Sequence, residues 1–275
     1  MASMAGRCRV ERDATPVTPM PKPTSEIPDL IPTFQLGYLL PIPIAEYVHH
    51  QFYHICPPDM MMLGVPGDLE NFDEAAVDKL RQSLLSSLDF LISRRVDRIV
   101  QGGIPVSAFM GRAAVREFLE EARRRTDIPV SADFEEAIEA LEFLGARRVA
   151  IGAKWSADLM QRVSDYLADA GIETLGLANE PYAAQDLAGI MPLQGVDLAL
   201  ELGRKAFEAA PDADALLLAG GAWLSVQAVP ALEREFGKPV VTNPSATYWA
   251  AMRQHGTHSP HPGWGRLIDA LHPNA

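Results

Sequence analysis

An internal repeat is the sequence feature that most constrains the fold of this 275-residue chain. The segment RIVQGGIPVSAFMGRAAVREFLEEARRRTDIPVSAD, at 98–133, is similar to ALLLAGGAWLSVQAVPALEREFGKPVVTNPSAT, at 215–247. Each unit contains a strand, a Gly-Gly turn, an apolar loop, a helix and a second strand that opens with Pro-Val. The period of about 118 residues is far too long for a solenoid. The repeat therefore predicts two similar lobes related by a pseudo-two-fold axis.

Strands and helices alternate through both halves of the chain. FQLGYLLP, which begins at Phe34, and RRVAIGAK, at 147–154, are short apolar runs typical of buried strands. Between 77 and 91, valine and leucine recur every three or four residues, which predicts an amphipathic helix, with the helix at 158–167 as its expected counterpart. This alternation predicts an α/β fold of two pseudo-symmetric lobes, each a mostly parallel sheet flanked by helices. Ligands of such sheets bind beyond the carboxyl ends of the strands, so we expect the active site in the cleft between the lobes.

The repeat also sets the expected boundaries of the lobes. Residues 1–34 are rich in proline and lack apolar periodicity, so we expect an extended N-terminal arm. Residues 35–133 are expected to form the first lobe, which 244–275 completes, and 134–243 the second. Each lobe is long enough to bury its own core.

Charge and composition narrow the classes of function. The net charge of −12 disfavours binding to nucleic acid, because an acidic surface repels the phosphate backbone. The chain has no apolar run long enough for a membrane span and no signal-peptide core at its polar N-terminus. Its two cysteines, Cys8 and Cys56, are too few for a disulfide framework. We therefore expect a cytoplasmic protein, either a monomer or a homo-oligomer, with no nucleic-acid or membrane partner.

Two Gly-Gly turns follow the strands of the repeat and are the strongest indication of a ligand site. Gly102-Gly103 and Gly220-Gly221 occupy equivalent repeat positions. Glycine permits a positive φ and lets backbone N–H groups approach an anion closely. We expect the two turns to face each other across the cleft. The alternative is a pair of tight strand-to-helix turns without a ligand.

Three segments of the chain resemble arylmalonate decarboxylases. They are KAFEAAPDADALLLAGGAWLSVQAVPALEREFGKPVVTNPSATYWAAMRQHG at 205–256, LGARRVAIGAKWSADLMQRVSDYLADAGI at 144–172, and PGWGRL at 262–267. The likeness covers about 35–270 and is strongest in the second half. This family is related to maleate isomerase and to the glutamate, aspartate and hydantoin racemases. The resemblance implies two pseudo-symmetric α/β lobes and cofactor-independent lyase or isomerase chemistry on a small organic acid, through an enolate-like intermediate.

The resemblance also implies a catalytic cysteine at one or both turns, and this sequence departs from that pattern. The two thiol positions fall on Gly102 and Gly220, and neither Cys8 nor Cys56 lies near a matching motif. A hydroxyl-bearing pair of the family aligns with Gly103 and Ile104, and a carboxylate-holding tyrosine aligns with Trp155. We therefore expect a reaction that does not use cysteine, with turn N–H groups stabilising the enolate.

The candidate residues follow from these positions. Substrate binding is assigned to the residues at the strand ends and turns: Pro41, Gly102, Gly103, Ile104, Trp155, Gly220, Gly221, Ala222 and Trp223. Lys154, if desolvated in the cleft, would act as an acid, a base or an amine nucleophile. Asp133 is a second acid–base candidate. The structural alternatives are a solvent-facing lysine, an aspartate that stabilises a helix N-terminus, and tryptophans that pack the lobes together.

The row Glu46, His50 and His54 could share one face of a helix. It suggests either histidine proton donors or a metal-assisted hydratase or hydrolase, although no HExxH motif is present. The leading interpretation needs no metal or cofactor. A third hypothesis is a non-catalytic protein that binds a small carboxylate. We also expect the segment 179–195 to close over the pocket.

Overall fold

The protein is described by a computed structural model over residues 31–43, 46–69, 71, 73–256 and 260–272. Most of the predicted N-terminal arm, residues 1–30 with Cys8, lies outside the described residues. The described chain folds into two four-stranded parallel sheets flanked by helices, which confirms the predicted fold class and its two lobes. No helix among the described residues is long and apolar enough to cross a membrane.

The first sheet has the strand order β2-β1-β3-β4. Its strands are β1 (Phe34–Leu40), β2 (Met60–Pro66), β3 (Arg98–Gln101) and β4 (Val130–Ala132). Its helices are α1 (Glu46–Ile55), α2 (Glu74–Ser93), α3 (Ile104–Met110), α4 (Arg112–Arg125) and α5 (Asp133–Phe143).

The second sheet repeats this order as β6-β5-β7-β8. Its strands are β5 (Arg148–Ala153), β6 (Glu173–Asn179), β7 (Ala215–Ala219) and β8 (Val240–Thr242). The helices of this half are α6 (Ala157–Ala168), α7 (Pro192–Ala209), α8 (Val229–Phe236), α9 (Asn243–His255) and α10 (Arg266–Asp269). Short 3₁₀ turns occupy Ala184–Gly189 and Val226–Ala228.

Apolar periodicity explains why these elements form where they do. The predicted stripe of α2 is fully buried against the first sheet: Val77, Leu80, Leu84, Leu88 and Leu91. The central strand β7 is buried at every position, as expected for a parallel strand covered by helices on both faces. Burial of these stripes removes apolar surface from water and is the main force that holds each layer together.

The order of elements corrects one predicted correspondence. Helix α6 directly follows β5, as α1 follows β1, so α6 corresponds to α1 and α7 corresponds to α2. The predicted pairing of the helix at 158–167 with the one at 77–91 was therefore wrong. The cause is that two strands were not recognised from the sequence: β2, which separates α1 from α2, and β6, which separates α6 from α7.

The register of the strands also shifts the equivalence of the two turns by one residue. Gln101 lies beside Ala132 in the first sheet, and Leu218 lies beside Thr242 in the second. Counting forward, Gly103 corresponds to Gly220. Both adopt a positive φ, 99° and 110°. The structural counterpart of Gly102 is therefore Ala219, not Gly220.

Helices α5 and α9 are repeat-equivalent and pack against each other between the sheets. The buried carboxylate of Glu136, on α5, accepts hydrogen bonds from Ser131 and Arg98 of the first sheet. Its second oxygen accepts from the Thr247 hydroxyl of α9, at 2.7 Å. This buried polar cluster fixes α9 relative to the first sheet.

We predict that Glu136→Leu lowers the free energy of unfolding by about 3–5 kcal/mol, since it leaves a nearly buried guanidinium without its partner. Glu139→Ala is the matched control, because Glu139 lies one turn along α5 and its pair with Arg253 is exposed. The control should cost no more than about 1 kcal/mol. Urea unfolding of both variants measures the difference, and equal losses would contradict a structural role for the Glu136 cluster.

Candidate active site

A cavity of about 500 Å³, counted out to its open mouth, lies between the two sheets at the carboxyl ends of their strands. Residues of both lobes line it, and most are apolar: Tyr38, Leu40, Pro41, Ile42, Val48, Gly103, Ile104, Pro105, Lys154, Trp155, Leu187, Gly220, Gly221, Ala222 and Asn243. A mostly apolar wall with a few polar side chains is typical of a site for a small organic molecule.

Most of the predicted substrate-binding residues lie at this cavity. Seven of them are in its wall: Pro41, Gly103, Ile104, Trp155, Gly220, Gly221 and Ala222. The other two, Gly102 and Trp223, lie behind it. A Cβ on Gly102 would lie 2.5 Å from the Tyr38 ring, so that ring covers this glycine. Trp223 is buried behind Lys154 and donates its indole N–H to the Gly220 carbonyl.

The two glycine turns are joined through Asp133 and Asn243, the first residues of α5 and α9. The Gly103 N–H donates to Asp133 Oδ2 at 2.8 Å, and the Gly220 N–H donates to Asn243 Oδ1 at 2.9 Å. Asn243 Nδ2 then donates to Asp133 Oδ2 at 2.8 Å. Each turn is therefore held by the residue that follows the neighbouring strand, and the two holding residues bind each other.

This network changes which backbone groups are available to an anion. The N–H groups of Gly103 and Gly220 already have acceptors, and that of Gly102 donates to the Leu39 carbonyl. These three N–H groups are therefore not free, contrary to the prediction that both Gly-Gly pairs cradle an anion.

Three neighbouring N–H groups remain. In the described part of the chain, the N–H groups of Gly221 and Ala222 have no acceptor. Ile104 begins α3, so its N–H has no acceptor within the helix. All three residues line the cavity.

Asp133 is a fully buried carboxylate immediately behind the cavity wall. Its Oδ2 accepts hydrogen bonds from Gly103, Asn243 and the Tyr38 hydroxyl, whereas Oδ1 has no partner among the described groups. Burial raises the pKa of Asp133 to about 6, although the three hydrogen bonds oppose the shift. This carboxyl therefore changes protonation close to neutral pH, which suits an acid–base group.

Tyr38 connects this carboxyl to the cavity. Its side chain lines the cavity and its hydroxyl donates to Asp133 Oδ2 at 3.1 Å. Burial, and then the nearby Asp133 charge, raise the pKa of Tyr38 well above its ordinary value. The phenol therefore stays protonated and can donate a proton only if Asp133 supplies another.

Lys154 lines the opposite side of the cavity and is 1% exposed. Its Nζ lies 3.7 Å from the centre of the Trp223 ring. Desolvation lowers the pKa of Lys154 well below its ordinary value. The alternative of a solvent-facing lysine was therefore wrong, and Lys154 is the second titratable side chain in the cavity wall.

The histidine row does not reach the cavity. Glu46, His50 and His54 lie exposed along α1, and none of them lines the cavity. No group of three or more His, Cys, Asp or Glu side chains within the described ranges is arranged to hold a metal. The candidate proton donors His50 and His54, and the candidate metal row, were therefore placed wrongly: helical spacing put them on one face, but it is the solvent face.

Sequence reasoning missed several residues of the site, above all Tyr38 and Asn243. Tyr38 was read only as part of a buried strand. Asn243 had a visible signal, because the repeat aligns IPVSAD with KPVVTN and so pairs it with Asp133. Cys56, by contrast, is buried at the end of α1 and does not line the cavity.

The fold and this site define a class: two-lobed α/β proteins whose repeat-related sheets share one cavity at their carboxyl edges. The family model described as arylmalonate decarboxylase matches residues 58–268. The chain belongs to the arylmalonate decarboxylase family.

Individual relatives agree with this assignment. The arylmalonate decarboxylase of Bordetella bronchiseptica is 32% identical over 170 residues, which cover 61% of this chain and 69% of that protein. A liganded double mutant of arylmalonate decarboxylase superposes with a TM-score of 0.78, at 26% identity, over 86% of this chain and all of its own. The maleate isomerase of Pseudomonas putida S16 gives a TM-score of 0.75 at 19% identity, over 87% of this chain and 99% of its own, and so shows the shared fold.

We predict that Asp133→Asn removes a pH-dependent part of the stability. The pKa of Asp133 is about 6 in the folded state, against an ordinary 3.8, so between these pH values the folded protein binds more protons than the unfolded protein. The stability of the parent therefore falls as pH rises from about 4 to 6. Asparagine keeps an oxygen acceptor toward these donors but places an NH2 group at the buried Oδ1 position, for which the described residues offer no partner, so the variant also carries a pH-independent cost. Between about pH 4 and pH values above about 6, the difference in stability should shift by roughly 1–3 kcal/mol in favour of the variant.

Urea unfolding at several pH values tests this difference. Asp186→Asn, in a 3₁₀ turn, is the control and should keep the parental pH slope. If the difference between Asp133→Asn and the parent does not change with pH, the assigned titration is wrong.

Proposed function

We propose that this protein is a cysteine-independent lyase or isomerase that acts on a small carboxylic acid through an enolate-like intermediate. The observation that carries the proposal is a cavity at the turns of both lobes whose described wall residues include titratable oxygen and nitrogen groups but no thiol. Family membership supports carbon-acid chemistry of the decarboxylase or isomerase type. No cofactor is required by the proposal.

The substrate's carboxylate or enolate oxygens would be held by backbone N–H groups. Gly221 and Ala222 of the second-lobe turn, with Ile104 of the first, offer donors at the cavity wall. Donors fixed by the fold stabilise developing negative charge strongly in a water-poor site, because they need no reorganisation. The apolar walls, including Trp155 and Leu187, would hold the rest of the molecule.

Tyr38 and Asp133 would move the proton on the first-lobe side. In a decarboxylation, the electrons of the broken C–C bond pass to the enolate as carbon dioxide leaves. With Asp133 protonated, its hydrogen bond with Tyr38 reverses, so that the carboxyl donates to the phenol oxygen. Tyr38 then gives its hydroxyl proton to the carbon while Asp133 returns a proton to the phenol oxygen, and Asp133 regains a proton from solvent before the next turnover. This relay avoids a free phenolate, whose formation burial opposes.

Lys154 would be the acid–base group on the second-lobe side. Isomerisation by racemisation needs proton transfer at two faces of one carbon, and Tyr38 and Lys154 line the cavity from different lobes. The same cavity therefore fits decarboxylation with one group and racemisation with both. A binding protein without turnover is the competing outcome of the test.

The proposal is tested by incubating the protein with aryl- and alkylmalonates, maleate, and hydroxy and amino acids. We expect carbon dioxide release, or isomerisation detected by chiral chromatography or NMR, for at least one of these compounds. Calorimetric binding of these acids without any conversion would replace the proposed enzyme with a carboxylate-binding protein.

We predict that the double variant Cys8→Ala, Cys56→Ala retains the turnover number of the parent within about threefold, since neither thiol is assigned a chemical role. The chain has two cysteines, so this variant has no thiol. Iodoacetamide should likewise leave the parent active. A loss of about a hundredfold or more in a folded variant would show that a thiol takes part.

We predict that Tyr38→Phe lowers the turnover number by about 10²–10⁴-fold with little change in KM, because it removes a proton donor and keeps the ring that packs on Gly102. Tyr182→Phe is the control, since the Tyr182 hydroxyl bonds Glu180 and Tyr182 does not line the cavity. A steady-state comparison measures both parameters. Equal activity of Tyr38→Phe and the parent would remove Tyr38 from the mechanism.

A further inference from the structure

The side-chain amine of Lys154 occupies the cavity without a counter-charge. Among the described residues, no carboxylate forms an ion pair with it and no acceptor takes a hydrogen bond from it. Its recorded polar contact is the face of Trp223. A buried lysine that only supported the fold would ordinarily be paired, because an unpaired buried charge is costly.

The surroundings of Lys154 favour the neutral amine. Desolvation lowers its pKa well below the ordinary value, while the Trp223 ring face attracts the protonated form and only partly opposes this. A neutral primary amine carries a lone pair and is a nucleophile toward carbonyl carbon.

The space around Nζ is kept open by glycine. A Cβ on Gly220 would lie 3.3 Å from Lys154 Nζ and 3.4 Å from a Trp155 ring carbon. The absence of a side chain at 220 therefore leaves room for a ligand atom beside the amine. The next residues along the turn, Gly221 and Ala222, have the N–H groups that lack an acceptor in the described chain. The amine and the anion donors therefore line the same cavity, with Gly220 in contact range of Nζ and next to Gly221 in the turn.

We propose that Lys154 forms an imine with the carbonyl carbon of a small 3-oxo acid whose carboxylate is held at Gly221 and Ala222. In a 3-oxo acid, a single carbon separates the carbonyl from the carboxylate, so both groups of one small molecule can meet the amine and the anion donors within the same cavity. The activity goes beyond the proposed function, because it needs no enolate of a malonate and uses Lys154 as a nucleophile.

The reaction balances without an oxidant or a cofactor. The Nζ lone pair adds to the carbonyl carbon and a proton passes from nitrogen to the former carbonyl oxygen. A second proton, taken up from solvent, lets this hydroxyl leave as water and gives a protonated imine. The electrons of the bond to the carboxylate then move into the carbon framework as carbon dioxide leaves, and the imine π pair moves to nitrogen, which forms an enamine. The enamine carbon takes a proton from the Tyr38 hydroxyl. Water hydrolyses the resulting imine, which releases the ketone and regenerates Lys154.

Reductive trapping tests the proposal directly. The full-length protein is incubated with acetoacetate and sodium cyanoborohydride near neutral pH, digested, and mapped by mass spectrometry. We expect a saturable adduct at Lys154 that forms more than about tenfold faster than at exposed Lys79 or Lys205, since each pKa unit of depression raises the neutral fraction about tenfold. Labelling of Lys154 no faster than of Lys79 or Lys205 would overturn the proposal.

Two variants complete the experiment. Lys154→Met keeps an apolar side chain of similar length and should abolish both the adduct and carbon dioxide release from acetoacetate, whereas Lys205→Met should preserve both. Unchanged release by Lys154→Met would also contradict the proposal, and if that variant does not fold, labelling of the parent decides. Turnover of malonates without labelling at Lys154 would refute the imine alone; labelling without turnover of any malonate or maleate would refute the proposed function alone.

Discussion

The hydrogen bond between Asp133 and Asn243 is the interaction on which the rest of the site depends. Each of these residues begins a helix of the lobe interface and holds the glycine turn of its own repeat unit. Their contact at 2.8 Å ties the two turns into one unit. Because a buried hydrogen bond to a charged group is strong and directional, this tie sets the distance between the lobes at the bottom of the cavity. Asp133 and Asn243 also accept from the Gly103 and Gly220 N–H groups, which a sequence comparison would assign to the ligand.

The small residues at the turns have a consequence for the chemistry of the cavity. Where a side chain at 102 would project, the ring of Tyr38 is packed, and beside the side-chain position of Gly220 lies the amine of Lys154. Tyr38, from β1, thus fills the space that a side chain at 102 would need, whereas a side chain at 220 would lie in contact with Lys154, which follows β5. We propose that these two groups perform the proton transfer and nucleophilic steps, which makes the absence of cysteine at the turns compatible with catalysis.

Burial gives these groups their reactivity, and it acts in opposite directions on acids and bases. Desolvation raises the pKa of Asp133 and lowers that of Lys154, so the same apolar wall brings a carboxyl and an amine closer to neutral pH. In the proposed function the substrate is selected by charge and shape together, since the free backbone donors of the described cavity wall are few: Gly221 and Ala222 at one turn and Ile104 at the other.

The sequence by itself determined the two-lobed parallel architecture and most of the cavity wall. The periodicity of apolar residues and the positions of glycines are local properties of the sequence, and the repeat showed both twice. Gly103, Gly220 and Trp155 could therefore be assigned to the cavity wall without coordinates. Tertiary structure alone decided which polar side chains enter the cavity. Helical spacing placed His50 and His54 on one face but could not show that it faces solvent, and nothing local distinguished Tyr38 from its apolar neighbours. The physical reason is that burial and hydrogen-bond partners, which set reactivity, arise from segments distant in sequence, as Asp133 and Asn243 demonstrate.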